Sequence, residues 1–151
     1  MAKDVACIVY LPSNVGSVEE VEQRLASQGY EVRSFEVTKE RAAAVKAGQW
    51  ETLPNELAAC LEEAVLVVLL IDEDANLLGP IAGLGSDAGC RVVSIGGSPD
   101  DLPVDLDDII DGHIPSVDAP NADEVIGGKP DRIEPDGESA SPRKPVRVKC
   151  Q

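Results

Sequence analysis

The sequence predicts a single small α/β domain with three layers and a mainly parallel, roughly five-stranded sheet. Apolar strand-like runs alternate with helical segments over the first 117 residues, an order that predicts βαβ units. The strongest run, AVLVVLLI at 64–71, is apolar on both faces, as central parallel strands are. A chain of 151 residues also has the usual size of one domain.

The first half of the chain supplies two strands before this central run. Residues 4–11 (DVACIVYL) predict a buried first strand, and the alternating segment 30–37 predicts an edge strand. Between them, Ser17 followed three residues later by Glu20 predicts a capping box that begins a helix. Two further helices are expected before the central strand, over 38–49 and 55–63.

The sheet is expected to continue after the central strand. A small-residue helix is predicted over 77–88, followed by a strand at 91–95 that ends at Gly96-Gly97. A short helix at 105–110 and a short strand at 113–117 complete the predicted domain.

Composition changes towards the C-terminus, so we divide the chain into a domain, 1–117, and a loop-rich appendage, 118–151. Residues 98–124 carry nine acidic side chains and no Lys or Arg, whereas the last 23 residues carry six basic and four acidic ones. We expect this extension to be partly extended or mobile, with a possible short strand near its end.

The formal net charge of −15 argues against direct nucleic-acid binding, because phosphate contacts require Lys and Arg. It favours an unknown protein partner, possibly basic, attracted by the acidic surface. A solvated acidic face that only provides solubility is the alternative. The candidate partner-binding residues are Asp100, Asp101, Asp107 and Asp108, with Arg147 and Lys149 of the basic tail, which either folds back onto the acidic body or binds an acidic partner.

The four cysteines form no C-x-x-C pair, and with one histidine in the chain a zinc site is not expected. Cys7 and Cys90 lie in apolar runs, where cysteine usually acts as a small buried hydrophobe. Scattered thiols suit a reducing cytosol, and the longest apolar run is too short to span a bilayer. We therefore expect a cytoplasmic protein with no membrane segment, no metal and no cofactor.

Candidate ligand-binding residues follow the predicted strands. In an open parallel sheet, ligands bind at the carboxyl ends of the strands. The segments expected there contribute hydroxyl, amide and carboxylate groups that could hold a sugar hydroxyl or a base edge. The alternative is that they are ordinary turn residues. The candidates are Pro12, Ser13, Asn14, Asp72, Gly96 and Gly97.

Motifs of common enzyme classes are absent from the sequence. There is no G-x-G-x-x-G, G-K-[ST] or G-x-S-x-G pattern, so neither a standard phosphate loop nor a nucleophile elbow is expected. A nucleophile–histidine unit would have to use His113, which has no evident nucleophile near it in sequence. Paired carboxylates such as Asp107-Asp108 could bind Mg²⁺, although a solvated acidic face is more common.

One stretch, Val65 to Gly97, resembles two related flavodoxin-like groups, the TIR domains and the nucleoside deoxyribosyltransferase-like proteins. An apolar strand ending in acidic residues (VLVVLLIDEDAN) precedes a small-residue helix (GPIAGLGSDAG) and a strand (CRVVSIGG). In those families the helix carries a glutamate that engages the sugar during N-glycosidic bond cleavage. Gly83 stands at the matching position here, and glycine can be neither nucleophile nor base.

Three functional hypotheses follow. The leading one is a non-catalytic TIR-like or deoxyribosyltransferase-like module that binds a protein partner or a nucleotide-like ligand. The second is an active N-glycosidase or nucleoside transferase that uses another carboxylate, with Asp72, Asp74 and Asp87 as candidates. The third is an acidic immunity-type inhibitor of a basic enzyme such as a nuclease.

Overall fold

The computed structural model describes residues 4–49, 51, 53–71, 75–97, 102–119, 122–128 and 131–133. These residues contain one sheet of five strands, in which every neighbouring pair is parallel. The spatial order is β2-β1-β3-β4-β5. The strands are β1 (Val5–Tyr10), β2 (Glu31–Glu36), β3 (Leu66–Leu70), β4 (Arg91–Ile95) and β5 (Gly112–Ile114).

The structure confirms the predicted α/β class and the place of two strands. β3, the run with the strongest apolar signal, is the middle strand, and all five of its residues are buried. β2, whose sequence alternates in polarity, lies at an edge of the sheet and is only partly buried.

Within the described residues, six α-helices cover the two faces of the sheet. They are α1 (Val18–Ser27), α2 (Lys39–Lys46), α3 (Asn55–Glu63), α4 (Gly79–Asp87), α5 (Val104–Asp107) and α6 (Ala122–Ile126). Buried residues of α2, α3, α4 and α5 pack in one apolar cluster, and those of α1 and α6 pack in a second. Residues of β1, β2, β3 and β4 enter both clusters, one from each face of the sheet, so the sheet is the middle of three layers.

The folded domain continues past residue 117, where the sequence analysis placed its end. Val125 and Ile126 of α6 and Ile133 are at most 1% exposed and belong to the second cluster. Arg132 forms a parallel bridge with His113 on the outer side of β5. Two backbone hydrogen bonds fix this bridge, from His113 N to Asp131 O at 3.0 Å and from Ile133 N to His113 O at 2.8 Å.

The cysteines differ from the expectation of scattered thiols. Cys7 of β1 is bonded to Cys60 of α3 in a disulfide, and both residues are wholly buried in the first cluster. Sequence could not reveal this pair, because the two residues are 53 positions apart and meet only when α3 packs on β1. Cys90 is a buried thiol that donates to the carbonyl oxygens of Ala64 and Leu61, and burial raises its pKa.

The start of α1 also differs from the prediction. A short 3-10 helix, Pro12–Ser17, leads directly into α1, and the N–H of Val18 donates to the carbonyl of Val15. Ser17 consequently has a helical backbone, and its side chain makes no capping hydrogen bond. The predicted capping box is therefore wrong, and the side chain of Glu20 is not used to cap α1.

Candidate functional site

A cleft of about 110 Å³ lies at the carboxyl edge of the sheet. The ends of β3 and β4, the segment after β1, the first turn of α1 and the loop after β5 surround it. It lies at the point where strand order reverses, since β2 is on one side of β1 and β3 is on the other. This is where ligands bind in doubly wound sheets. The lining residues are Asn14, Ser17, Glu20, Val21, Leu70, Ile71, Ile95, Gly96, Pro115, Ser116 and Val117.

Asn14 connects two sides of the cleft. Its side-chain Nδ2 donates to the carbonyl oxygen of Leu70 at 3.3 Å, and its backbone N–H donates to that of Leu11 at 2.9 Å. These bonds hold the segment after β1 against the end of β3. Because Nδ2 is used as the donor, the amide presents its oxygen as an acceptor.

Gly96 forms another part of the wall through its backbone. A Cβ atom at this position would lie 2.8 Å from the carbonyl oxygen of Ile71, and its φ of +129° disfavours any other residue. Its N–H donates to the carbonyl of Ile114 at 2.9 Å. Glycine thus lets the ends of β3, β4 and β5 approach closely beside the cleft.

Glu20 is the one charged side chain among the residues that line the cleft. A hydrogen bond with Asp118, together with the negative charge of that carboxylate, raises the pKa of Glu20. The Arg24 guanidinium lowers it in part, but Arg24 is already paired at 3.0 Å with both Asp118 and Asp123. Beside the cleft, the carboxylates of Glu20, Asp118 and Asp123 therefore outnumber the guanidinium of Arg24.

The predicted ligand-binding residues separate into three groups. Asn14 and Gly96 line the cleft, whereas Pro12, Ser13 and Gly97 are close to them in sequence but do not line it. The carbonyl of Gly97 instead accepts a hydrogen bond from His113. Asp72 and Asp74 lie outside the described residues.

Two positions singled out by the family resemblance do not line this cleft. Asp87 ends α4 just before β4 begins, at the opposite edge of the sheet, and lines a separate apolar groove beside α3. Gly83 is half-buried on α4, and a Cβ there would be 4.0 Å from Cδ1 of Ile109. α4 packs on the first cluster, on the other side of the sheet from α1.

The predicted partner surface is described only in part. Asp107 forms an ion pair with Arg132, and its carbonyl oxygen also accepts from Nη2 of Arg132 at 2.9 Å. This contact joins α5 to the segment beside β5, which gives Asp107 a structural role. Asp108 is exposed. The other four candidates, Asp100, Asp101, Arg147 and Lys149, lie outside the described residues.

His113 has a neighbouring hydroxyl that the sequence analysis did not find. Oγ of Ser94 lies 2.7 Å from Nδ1, and Nε2 lies 2.9 Å from the carbonyl oxygen of Gly97. The two residues are 19 positions apart and become neighbours because β4 and β5 pair in register. Both side chains are wholly buried, so a substrate cannot reach this serine–histidine pair.

Glu20, Ser17 and Ser116 are the polar lining residues that the sequence analysis missed. Ser17 and Glu20 follow β1 closely, but their spacing predicts a helix cap and not a ligand site. Among the described residues, no group of three His, Cys, Asp or Glu side chains could hold a metal ion. Within the same part of the chain, no helix combines the length and apolarity needed to cross a membrane.

Comparison with known proteins assigns no family to the chain. No protein-family model and no curated protein sequence matches the chain. A solved structure described as the crystal structure of TesA matches with 17% sequence identity and a TM-score of 0.32. The match covers 67% of this chain and 66% of that one, and a likeness of this degree assigns neither a family nor a function.

Proposed function

We propose that the protein is a non-catalytic α/β binding module whose ligand enters the cleft at the carboxyl edge of the sheet. The position of the cleft carries the proposal, because four polar side chains meet where the strand order reverses. They are Asn14, Ser17, Glu20 and Ser116. The proposed ligand is a protein partner or a nucleotide-like molecule. The proposed module is of TIR-like or deoxyribosyltransferase-like type.

The composition of the cleft lining supports a binding role. Among the lining residues, Glu20 is the one carboxylate, and none is a Cys, His, Lys or Arg. The serine–histidine pair of Ser94 and His113 is wholly buried, and Asp87 lies at the other end of the sheet. Glycine stands at position 83, where the resemblance implies a catalytic glutamate.

N-glycosidase or nucleoside transferase activity is the alternative, and Glu20 is the carboxylate in the cleft that could serve it. The test is incubation of the purified chain with NAD and with nucleosides, followed by chromatography for nicotinamide or free base. We expect no release by the unmodified chain or by the Glu20→Gln variant. Release by the unmodified chain would refute the non-catalytic proposal, and its loss in the variant would assign the activity to Glu20.

The binding role itself is tested by nuclear magnetic resonance on the ¹⁵N-labelled full chain. Nucleosides, nucleotides and small cations are added one at a time, and amide shifts are followed at Asn14, Gly96 and Ser116. Shifts confined to these residues and their neighbours support the proposal. If no compound moves them, the cleft is not a ligand site.

The cellular location remains a separate proposal. A cytoplasmic location was expected because the thiols looked scattered, and the Cys7–Cys60 disulfide removes that argument for two of the four cysteines. Mass measurement of the protein purified from its native source, under non-reducing conditions, decides whether this bond forms there.

A further inference from the structure

We infer that the group received by the cleft is a positively charged nitrogen group, an ammonium or a guanidinium, and that phosphate is rejected. This inference rests on the proposed ligand site and names the chemistry of what enters it.

Glu20 supplies the one charged group among the described polar groups of the cleft, and it is an acceptor. Asn14 adds an amide oxygen beside the Nδ2 that donates to Leu70, and the hydroxyls of Ser17 and Ser116 can accept as well as donate. A carboxylate only accepts when it is ionised. A ligand rich in N–H donors with a positive charge is therefore the complementary partner.

The charge around the cleft also favours a cation. Arg24, the basic residue closest to Glu20 along α1, is paired with Asp118 and Asp123. A phosphate would meet repulsion from Glu20 without a Lys or Arg in the lining to offset it.

The N-terminus of α1 does not supply a phosphate site instead. Helix N-termini attract anions through their unpaired N–H groups. Here the first turn carries Glu19 and Glu20, whose charges already occupy the favourable field. The N–H of Val18 is also used by the preceding 3-10 helix.

The size of the cleft agrees with a single functional group. Its volume of about 110 Å³ is far below the roughly 300–1,000 Å³ of pockets that enclose a whole drug-sized ligand. A side-chain-sized cation fits this space better than a complete nucleotide. The source is either a free small amine or a basic side chain of a protein partner, and the experiment separates the two.

The test uses the ¹⁵N-labelled full chain with four probes: N-acetyl-arginine-N-methylamide, adenosine, adenosine monophosphate and inorganic phosphate. We expect the capped arginine to shift the amides of Asn14, Gly96 and Ser116, and the phosphate-bearing probes to leave them unchanged. Glu20→Gln should weaken the capped arginine about tenfold, since one charge-assisted hydrogen bond is lost. Glu19→Gln is the matched control, because it removes the same charge one residue away, outside the lining.

Each outcome has a definite meaning. If adenosine or phosphate binds at these amides as tightly as the capped arginine, or if the two variants weaken binding equally, the inference is refuted while the ligand site stands. If no probe moves these amides, the proposed function fails as well. Tighter binding of a ten-residue peptide with one central arginine indicates a protein partner, and equal affinity indicates a free small cation; both support the inference.

Discussion

The hydroxyl of Ser94 donates a hydrogen bond to Nδ1 of His113 across two paired strands in the interior of the domain. The direction follows from the other ring nitrogen, which lies 2.9 Å from the carbonyl oxygen of Gly97. A carbonyl only accepts, so Nε2 carries the hydrogen and Nδ1 of the neutral ring accepts from Oγ at 2.7 Å. This pair lets two polar side chains occupy the core.

Ser94→Ala should destabilise the protein by about 1–3 kcal/mol, because it removes a buried donor from a buried acceptor. The measurement is the free energy of unfolding from urea denaturation. Ser116→Ala serves as the control, since Ser116 is exposed, and it should change stability by less than about 0.5 kcal/mol. Equal effects of the two substitutions would contradict the structural role of the pair.

Gly85→Ala should destabilise the protein by about 1–3 kcal/mol, since it introduces a methyl group into a packed contact. A Cβ at Gly85 would lie 2.8 Å from Cγ2 of Val67, so α4 would have to move away from β3. Thermal and urea denaturation measure the loss.

Gly83→Ala is the matched control on the same helix. Its Cβ would be 4.0 Å from Cδ1 of Ile109, an ordinary contact. Alanine is the better helix former by about 1 kcal/mol, so this variant should be neutral or more stable. A larger loss at Gly83 than at Gly85 would contradict the packing described for α4.

Loss of the Cys7–Cys60 disulfide should lower the free energy of unfolding by about 2–4 kcal/mol. The physical reason is that the bond restricts the unfolded chain over 53 residues. The comparison is between oxidised and reduced protein in urea, with the bond verified as a 2 Da difference in mass between the two forms. In the Cys7→Ala/Cys60→Ala variant, reductant should not change the free energy of unfolding. In the Cys90→Ala variant, the oxidised and reduced forms should differ in that free energy as much as those of the unmodified protein do.

Ile133→Ala should cost about 2–4 kcal/mol, because Ile133 is wholly buried against the second cluster. Val104→Ala is the comparison, since Val104 is 67% exposed and should contribute little. Urea denaturation of both variants measures the difference. If both variants lost only a small and similar amount of unfolding free energy, residue 133 would not belong to the cooperatively folded domain.

The carboxyl of Glu20 should titrate above the ordinary pKa of glutamate, because its hydrogen bond with Asp118 raises that pKa. Cation binding needs the ionised form, so binding should be full at neutral pH and should decline as the pH falls through this raised pKa. Carboxyl-carbon resonances measured against pH report the titration directly.

Asp118→Asn removes the neighbouring charge and should move the pKa of Glu20 downwards, so binding would persist to lower pH. The raised pKa of Glu20 affects the stability of the fold with the opposite pH dependence, because the folded state binds the Glu20 proton more tightly than the unfolded state does. The contribution of Glu20 to the free energy of unfolding is therefore present at low pH and is lost as the pH rises through that pKa. A pKa of Glu20 that Asp118→Asn leaves unchanged would contradict the described pair.

The order and type of the helices and strands up to β5 could be predicted because the signal is local, whereas α6 lies in the segment predicted to be a loop-rich appendage. The run at 64–71 is apolar on both faces, which predicts a strand that is buried on both. The alternating polarity at 30–37 predicts an edge strand that is only partly buried. The position of Ile133 could not be predicted in this way, because a single isoleucine among charged residues, Pro and Gly has no periodicity. Its burial depends on the bridge to β5.

The lining of the candidate cleft could be predicted only where strand ends determine it. Asn14 and Gly96 line the cleft, and both were chosen because they follow apolar strands. Glu20 was missed because its spacing from Ser17 fits a helix cap equally well, and only the 3-10 helix before α1 excludes that use. Ser116 depends on where the loop after β5 passes, which no local pattern specifies.

The covalent link between β1 and α3 has a mechanical consequence. While the bond is intact, a force applied to the two ends of the chain cannot extend the segment between Cys7 and Cys60, which contains α1, β2, α2 and most of α3. In a single-molecule pulling experiment, the unfolded oxidised protein should have a contour length roughly 180 Å shorter than that of the reduced protein, given 53 residues at about 3.4 Å each. Reductant added during extension would release that hidden length in one step.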